Sequence, residues 1–267
     1  MSDARRELVF ATHLAPSIRP LYEFVVERVG VELGRPTRLV TGTSLDPIRK
    51  GNVDFAFLCG LPYVRLRRED PMSVEAIAAP VVQEERYAGR PIYFSDVIVT
   101  AQSDVGSPFD LRGCQWAYNE RESHSGYLVT LYNLLCMGET GSFFASARAT
   151  GFHQESVRLV AAGAIDASAI DSQVLSVELR NNPGLRDRVR IIGTFGPSTI
   201  QPLVATCAVS DRLRQDVADV VTAIGQGKTD RERLNAGLVD RFVPVVDAAY
   251  DDIRAMLDAV EAAGLSF

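Results

Sequence analysis

The sequence is short of the residues from which most chemical sites are built. Its four cysteines, Cys59, Cys114, Cys136 and Cys207, form no CxxC pair, and its three histidines, His13, His124 and His153, fall at no metal-ligand spacing with them. The cysteines read as small buried apolar residues, and neither a metal nor a cofactor is expected. The chain holds no Walker A loop, no G-x-S-x-G elbow, no HExxH and no dinucleotide fingerprint. No catalytic residue is therefore expected. Without a run of about 18 apolar residues, no segment is expected to insert into a bilayer as a helix. The opening residues, Met1 to Glu7, lack the apolar stretch of a secretory signal, and no cysteine stands near them to take a lipid. The expectation is a leaderless cytoplasmic chain, or an exported one whose leader has been removed.

Excess positive charge is also missing. Lys and Arg number 28 against 34 Asp and Glu, for a net charge of −6. Such a chain repels a phosphate backbone at long range, so nucleic acid is excluded as a partner. A small anion is not excluded, because a local cluster of backbone N–H groups and hydroxyls holds one whatever the net charge.

What is present is an ordinary globular composition. Of 267 residues, 46% are hydrophobic and 23% charged, enough for one large domain or two of ordinary size. Leu8 to Thr12 reads as a buried strand. Residues 16 to 33 have helical spacing, with Leu21, Phe24, Val25, Val29 and Leu33 on one face and Gly34 closing it. Strands follow at Thr37 to Thr41 and Val53 to Leu58, with a short helix from Ser44 between them. Strand–helix–strand–helix–strand is the pattern of a doubly wound parallel sheet. Further strands are expected at 77–82, 92–100, 115–118, 165–170, 189–194 and 203–208. Helices are expected over 123–135, 156–162 and 171–180, and from Asp211 onward the chain reads as helical.

The segment Tyr118-Asn119-Glu120-Arg121-Glu122-Ser123-His124-Ser125-Gly126-Tyr127 leaves a predicted strand and enters a predicted helix. The first amides of a helix have no intrahelical acceptor and carry the positive end of its dipole, so an anion fits there. Ser123 and Ser125 add hydroxyls, and Gly126 lets the backbone approach an oxygen closely. From spacing alone, N-capping by Ser123 explains the same residues. Tyr93 reads as a half-buried strand aromatic and His153 as a loop histidine before a helix.

From Lys50 to about Tyr250 the chain resembles the phosphonate-binding proteins of ABC importers, a family that also captures phosphite and phosphate. The stretches that carry the resemblance are residues 50–56 (KGNVDFA) before Gly60, 93–99 (YFSDVIV), 110–113 (DLRG) and 123–126 (SHSG). In the same order come 150–153 (TGFH), 163–167 (GAIDA) and 250–254 (YDDIR). The resemblance implies a two-lobed α/β fold of the type II periplasmic-binding-protein kind, with a ligand cleft between the lobes. Lobe one would hold residues 1–97 and 200–267, and lobe two residues 98–199 with the anion-binding helix start. It also implies capture of a small phosphorus oxyanion by lobe closure, with an ABC permease as partner. Ser123, His124 and Ser125 would bind the phosphoryl oxygens, Tyr93 would add its phenol, and His153 would reach the same group. Imidazolium–oxyanion bonds at His153 would be charge-assisted.

Two departures narrow the ligand. Where aminoalkylphosphonate binders place acidic side chains on the ligand's ammonium, this sequence has the neutral Gln173 and Gln201. A neutral amide does not compensate a buried ammonium, so weak binding of aminoethylphosphonate is expected, unless Asp171 replaces the carboxylate. Leu58-Cys59 stands where the family has an aromatic residue, and Tyr63 is the candidate to fill that space. An enzyme and a ligand sensor on the same scaffold remain the alternatives. Relatives of this fold in thiamine-precursor and menaquinone synthesis are cytoplasmic enzymes.

Overall fold

The computed structural model describes residues 6–267, so the expectation about Met1 to Arg5 lies outside the described residues. In chain order the first elements are β1 (Leu8–Thr12), α1 (Arg19–Leu33), β2 (Thr37–Thr41), α2 (Asp46–Arg49), β3 (Phe55–Phe57), α3 (Gly60–Glu69) and β4 (Val74–Val82). Next come β5 (Ile92–Thr100), β6 (Gln115–Tyr118), α4 (Val129–Cys136), β7 (Ser146–Ala149), α5 (His153–Ala161), β8 (Ala167–Asp171) and α6 (Ser172–Asn181). The chain finishes with β9 (Val189–Thr199), β10 (Leu203–Thr206), α7 (Asp211–Ala223), α8 (Lys228–Ala236), β11 (Val239–Val243) and α9 (Asp251–Ala262). Two compact units result: residues up to Ile92 with Thr199–Asp251, and Tyr93–Ser198 with Asp252–Phe267.

The first unit is built on a six-stranded sheet in the order β11-β4-β10-β3-β1-β2. β1 pairs in parallel with both β2 and β3, as the strand–helix alternation predicts. The central strands are apolar because helices cover them: α1 buries Leu21, Tyr22, Phe24, Val25, Val26 and Val29, and Tyr22 stacks on Phe57 at 4.2 Å. Gly34 ends α1 at φ +59°, a conformation in which a side chain is strained. The buried Asp54 carboxylate accepts from Val9 N at 2.8 Å and pairs with Arg6, fastening β1 beside β3.

One element departs from the sequence reading and two more carry no reading there. Residues after Asp211 are not all helical, since Val239–Val243 forms β11 and pairs antiparallel with β4. Its Asp240-Arg241 pair carries no strand signal; the exposed edge of β4 supplies the hydrogen-bonding partner that local pattern does not reveal. α3 begins at Gly60-Leu61-Pro62. Proline is tolerated there because the amides of a first turn have no intrahelical acceptor. The four-residue β7 at the sheet edge is too short and too exposed to show an alternating pattern.

The second unit holds a five-stranded sheet in the order β7-β6-β8-β5-β9. Residues 93–97 and 252–267, expected with the first lobe, group with this unit. The physical reason is pairing and packing: β5 runs antiparallel to β8 from Ser95↔Asp171 onward, and the Phe267 ring packs on Tyr118, Tyr127 and Phe144. No helix among the described residues is long and apolar enough to cross a membrane.

Candidate functional site

Topology brings the candidate residues of the second unit to one edge of its sheet. β6 runs parallel to β7 and to β8, so all three carboxyl ends share that edge. β5 is antiparallel to β8, so its amino end, with Tyr93, lies there too. Ala101 N bonds Arg188 O and the Thr194 hydroxyl bonds Asp96, so β9 runs back along β5 and delivers Ser198 to the same edge. Carboxyl ends of parallel strands are where α/β proteins place ligands, because helix starts and their free amides cluster there.

After β6, Ser123 N bonds Glu120 O, and Ser123 caps the following helix with its Oγ accepting from Gly126 N at 3.0 Å. The helix does not open as a regular α turn. Residues His124–Leu128 form a π turn, closed by Leu128 N bonding Ser123 O, before α4 continues from Val129. All five of these residues are buried, as is Ser123. The approach at Gly126 is close: a Cβ would stand 2.1 Å from Asn119 Oδ1, so that side chain would have to shift. N-capping by Ser123 and an anion site are therefore not alternatives, since the capping oxygen keeps its own proton to donate.

Two serine–histidine pairs involve residues of this turn. Ser125 Oγ lies 2.9 Å from His153 Nε2, and His124 Nε2 lies 2.8 Å from Ser198 Oγ. Ser123 Oγ is 3.5 Å from Ser125 Oγ. His153 is the first residue of α5, and backbone bonds from Thr150 N to Tyr118 O and from Gly151 N to Asn119 O dock its loop onto the π-turn loop. The Tyr93 ring lies 6.1 Å from the His124 ring and is fully buried.

Burial pushes the His124 pKa down to about 3 and the His153 pKa to about 4. Desolvation thus favours the neutral form of both rings at neutral pH. Either nitrogen then donates or accepts according to tautomer. His153 Nδ1 has no hydrogen-bond partner among the described residues.

The remaining candidates have other surroundings. Asp171 caps α6, its Oδ1 accepting from Gln173 N at 2.9 Å and Val174 N at 3.1 Å, so this carboxylate already has a structural task. Gln173 is fully buried in the first turn of α6, close to Tyr93 in the fold because Phe94 N bonds Ser172 Oγ. Gln201 and Tyr63 belong to the first unit. There the Tyr63 hydroxyl donates to Asp247 at 2.6 Å and its ring meets Tyr250 edge-on at 4.7 Å, while burial and the Asp247 carboxylate raise its pKa. Ser198 is the residue that sequence reasoning missed. Its Pro197-Ser198-Thr199 context carries no local signal, and only the course of β9 brings it to His124. No group of three or more His, Cys, Asp or Glu suited to a metal ion occurs among the described residues.

Comparison with known proteins matches residues 9–250 to the family described as ABC transporter, phosphonate, periplasmic substrate-binding protein. The chain belongs to that family. Against the probable ABC transporter phosphite binding protein PhnD1 of Prochlorococcus marinus (strain MIT 9301), this family member is 27% identical over 137 residues. That stretch is 51% of this chain and 46% of the relative, so it spans about half the relative's length. The structure of PhnD1 from the same organism in complex with methylphosphonate superposes with a TM-score of 0.84 at 18% identity, covering 96% of this chain and 98% of the other. A binding protein component of an ABC phosphonate transporter from Pseudomonas aeruginosa gives a TM-score of 0.83 at 17% identity, covering 96% and 86%. The mixed α/β fold with two sheets is that of the periplasmic binding proteins.

Proposed function

We propose that this family member binds a small phosphorus oxyanion, namely phosphonate, phosphite or phosphate, on the π turn of the second unit and serves as the binding component of an ABC importer. The observation that carries the reading is the convergence of Ser123, His124, Ser125 and His153, all buried, at one helix start. Hydroxyls and neutral imidazole N–H groups, with the amides of the opening turn, supply donors to three tetrahedral oxygens, and Tyr93 adds a phenol. PhnD1, described as a probable phosphite binding protein and solved in complex with methylphosphonate, supports the same ligand class.

The reading contains no chemical step. Ser125 and His153 are hydrogen-bonded as a nucleophile–base pair would be, but no carboxylate among the described residues sits on His153 Nδ1 to hold its tautomer and stabilise an imidazolium. Gln173 is neutral, which favours phosphorus anions without an ammonium group over aminoethylphosphonate as ligands.

The test is a thermal-shift screen followed by calorimetry with phosphate, phosphite, methylphosphonate, aminoethylphosphonate and sulfate. Binding of at least one of the first three, ahead of sulfate and aminoethylphosphonate, is the expected result. Sulfate binding as tight as any phosphorus anion would overturn the ligand class.

A further inference from the structure

Residues far along the chain reach back to the loop that carries the candidate donors. α9 ends in a turn in which Gly264 adopts φ +63°, with Leu265 N bonding Val260 O and Gly264 N bonding Glu261 O. This capping geometry turns the chain out of the helix ahead of Ser266 and Phe267. Three separate contacts hold those two residues. Gly141 lacks the side chain that would meet Ser266 O at 2.0 Å. Arg121 donates to Phe267 O at 3.0 Å. The Phe267 ring lies 5.6 Å from Tyr118 and 5.3 Å from Tyr127, meeting the latter edge-on, and 5.8 Å from Phe144.

Tyr118 and Tyr127 bracket the candidate segment: one ends β6 and the other follows Gly126 in the π turn. The two rings also touch each other, at 5.1 Å. Arg121, inside the bracketed loop, lies over the Tyr127 ring at 5.8 Å while bonding Phe267 O. One ring therefore contacts both ends of the segment, and its backbone holds the middle. A hydrogen-bonding site needs its donors placed to a fraction of an ångström, and packed aromatic pairs restrict such movement.

We propose that Phe267 is a positioning residue of the anion site, acting through Tyr118, Tyr127 and Arg121 to hold the Ser123–Gly126 turn in its binding geometry. The inference rests on the function proposed above.

The test compares the wild-type chain with Phe267→Ala, Phe267→Tyr and Arg121→Ala. Methylphosphonate affinity is read by calorimetry, and the imidazole signals of His124 and His153 by NMR without ligand. Phe267→Ala is expected to weaken affinity at least about tenfold and to shift both histidine signals, while Phe267→Tyr, which keeps the ring, restores both. Arg121→Ala, at an exposed position, should weaken binding a few-fold without unfolding the chain. It therefore carries the test if Phe267→Ala does not fold. Unchanged affinity and unchanged histidine signals in a folded variant overturn the positioning role even though the wild type binds. A wild-type chain that binds no phosphorus anion overturns the functional reading instead, and shifted histidine signals would then still report the contact of Phe267 with the turn.

Discussion

Ser125 Oγ and His153 Nε2 stand 2.9 Å apart across 28 residues of chain. The pair is held from both sides, Ser125 by the π turn after β6 and His153 by the loop that bonds back to Tyr118 and Asn119. Its arrangement gives a direct expectation. If Ser125 donates to the anion as proposed, Ser125→Ala should weaken phosphite or methylphosphonate binding by about 1.5–3 kcal/mol, roughly tenfold to 150-fold. Calorimetry on the variant checks this, and unchanged affinity would remove Ser125 from the site.

The buried histidines make stability depend on pH. Their folded pKa values, about 3 for His124 and about 4 for His153, lie below the ordinary 6.5 of the unfolded chain. The unfolded state then binds more protons below about pH 6.5, so stability is full above that pH and falls as pH drops towards 4 and 3. Between pH 7 and 5 the loss should be about 2 kcal/mol per histidine at most. Urea midpoints at the two pH values measure it, and a midpoint that rises on acidification would contradict neutral, buried rings.

Gly126→Ala tests the close approach at the turn. The added methyl would stand 2.1 Å from Asn119 Oδ1, so one of the two must move, at about 1–3 kcal/mol. A second change, Asn119→Ala, should recover much of that loss in the double variant. If denaturant unfolding shows the two changes to be simply additive, the contact is not what demands glycine.

Asp171 is expected to act on stability rather than on ligand choice. Asp171→Ala deletes the two bonds that cap α6 and should cost about 0.5–2 kcal/mol. Relative affinities for methylphosphonate and aminoethylphosphonate should not change. A selective loss of aminoethylphosphonate binding would restore Asp171 as a ligand carboxylate.

The sequence by itself determined the elements whose partners are local. α1 follows from its apolar face and the glycine that ends it. β1 and β3 follow from short apolar runs, and the helix start at Ser123 from a capping serine after a strand. Those signals lie within one turn or one strand, so periodicity and capping chemistry report them. The tertiary structure alone decided what depends on distant pairing. β11 exists because β4 offers it an edge, Asp171 caps α6, and Ser198 meets His124 because β9 runs back along β5. It also lowers the pKa values of the two histidines, since desolvation is set by everything packed around a ring and not by its neighbours in the chain.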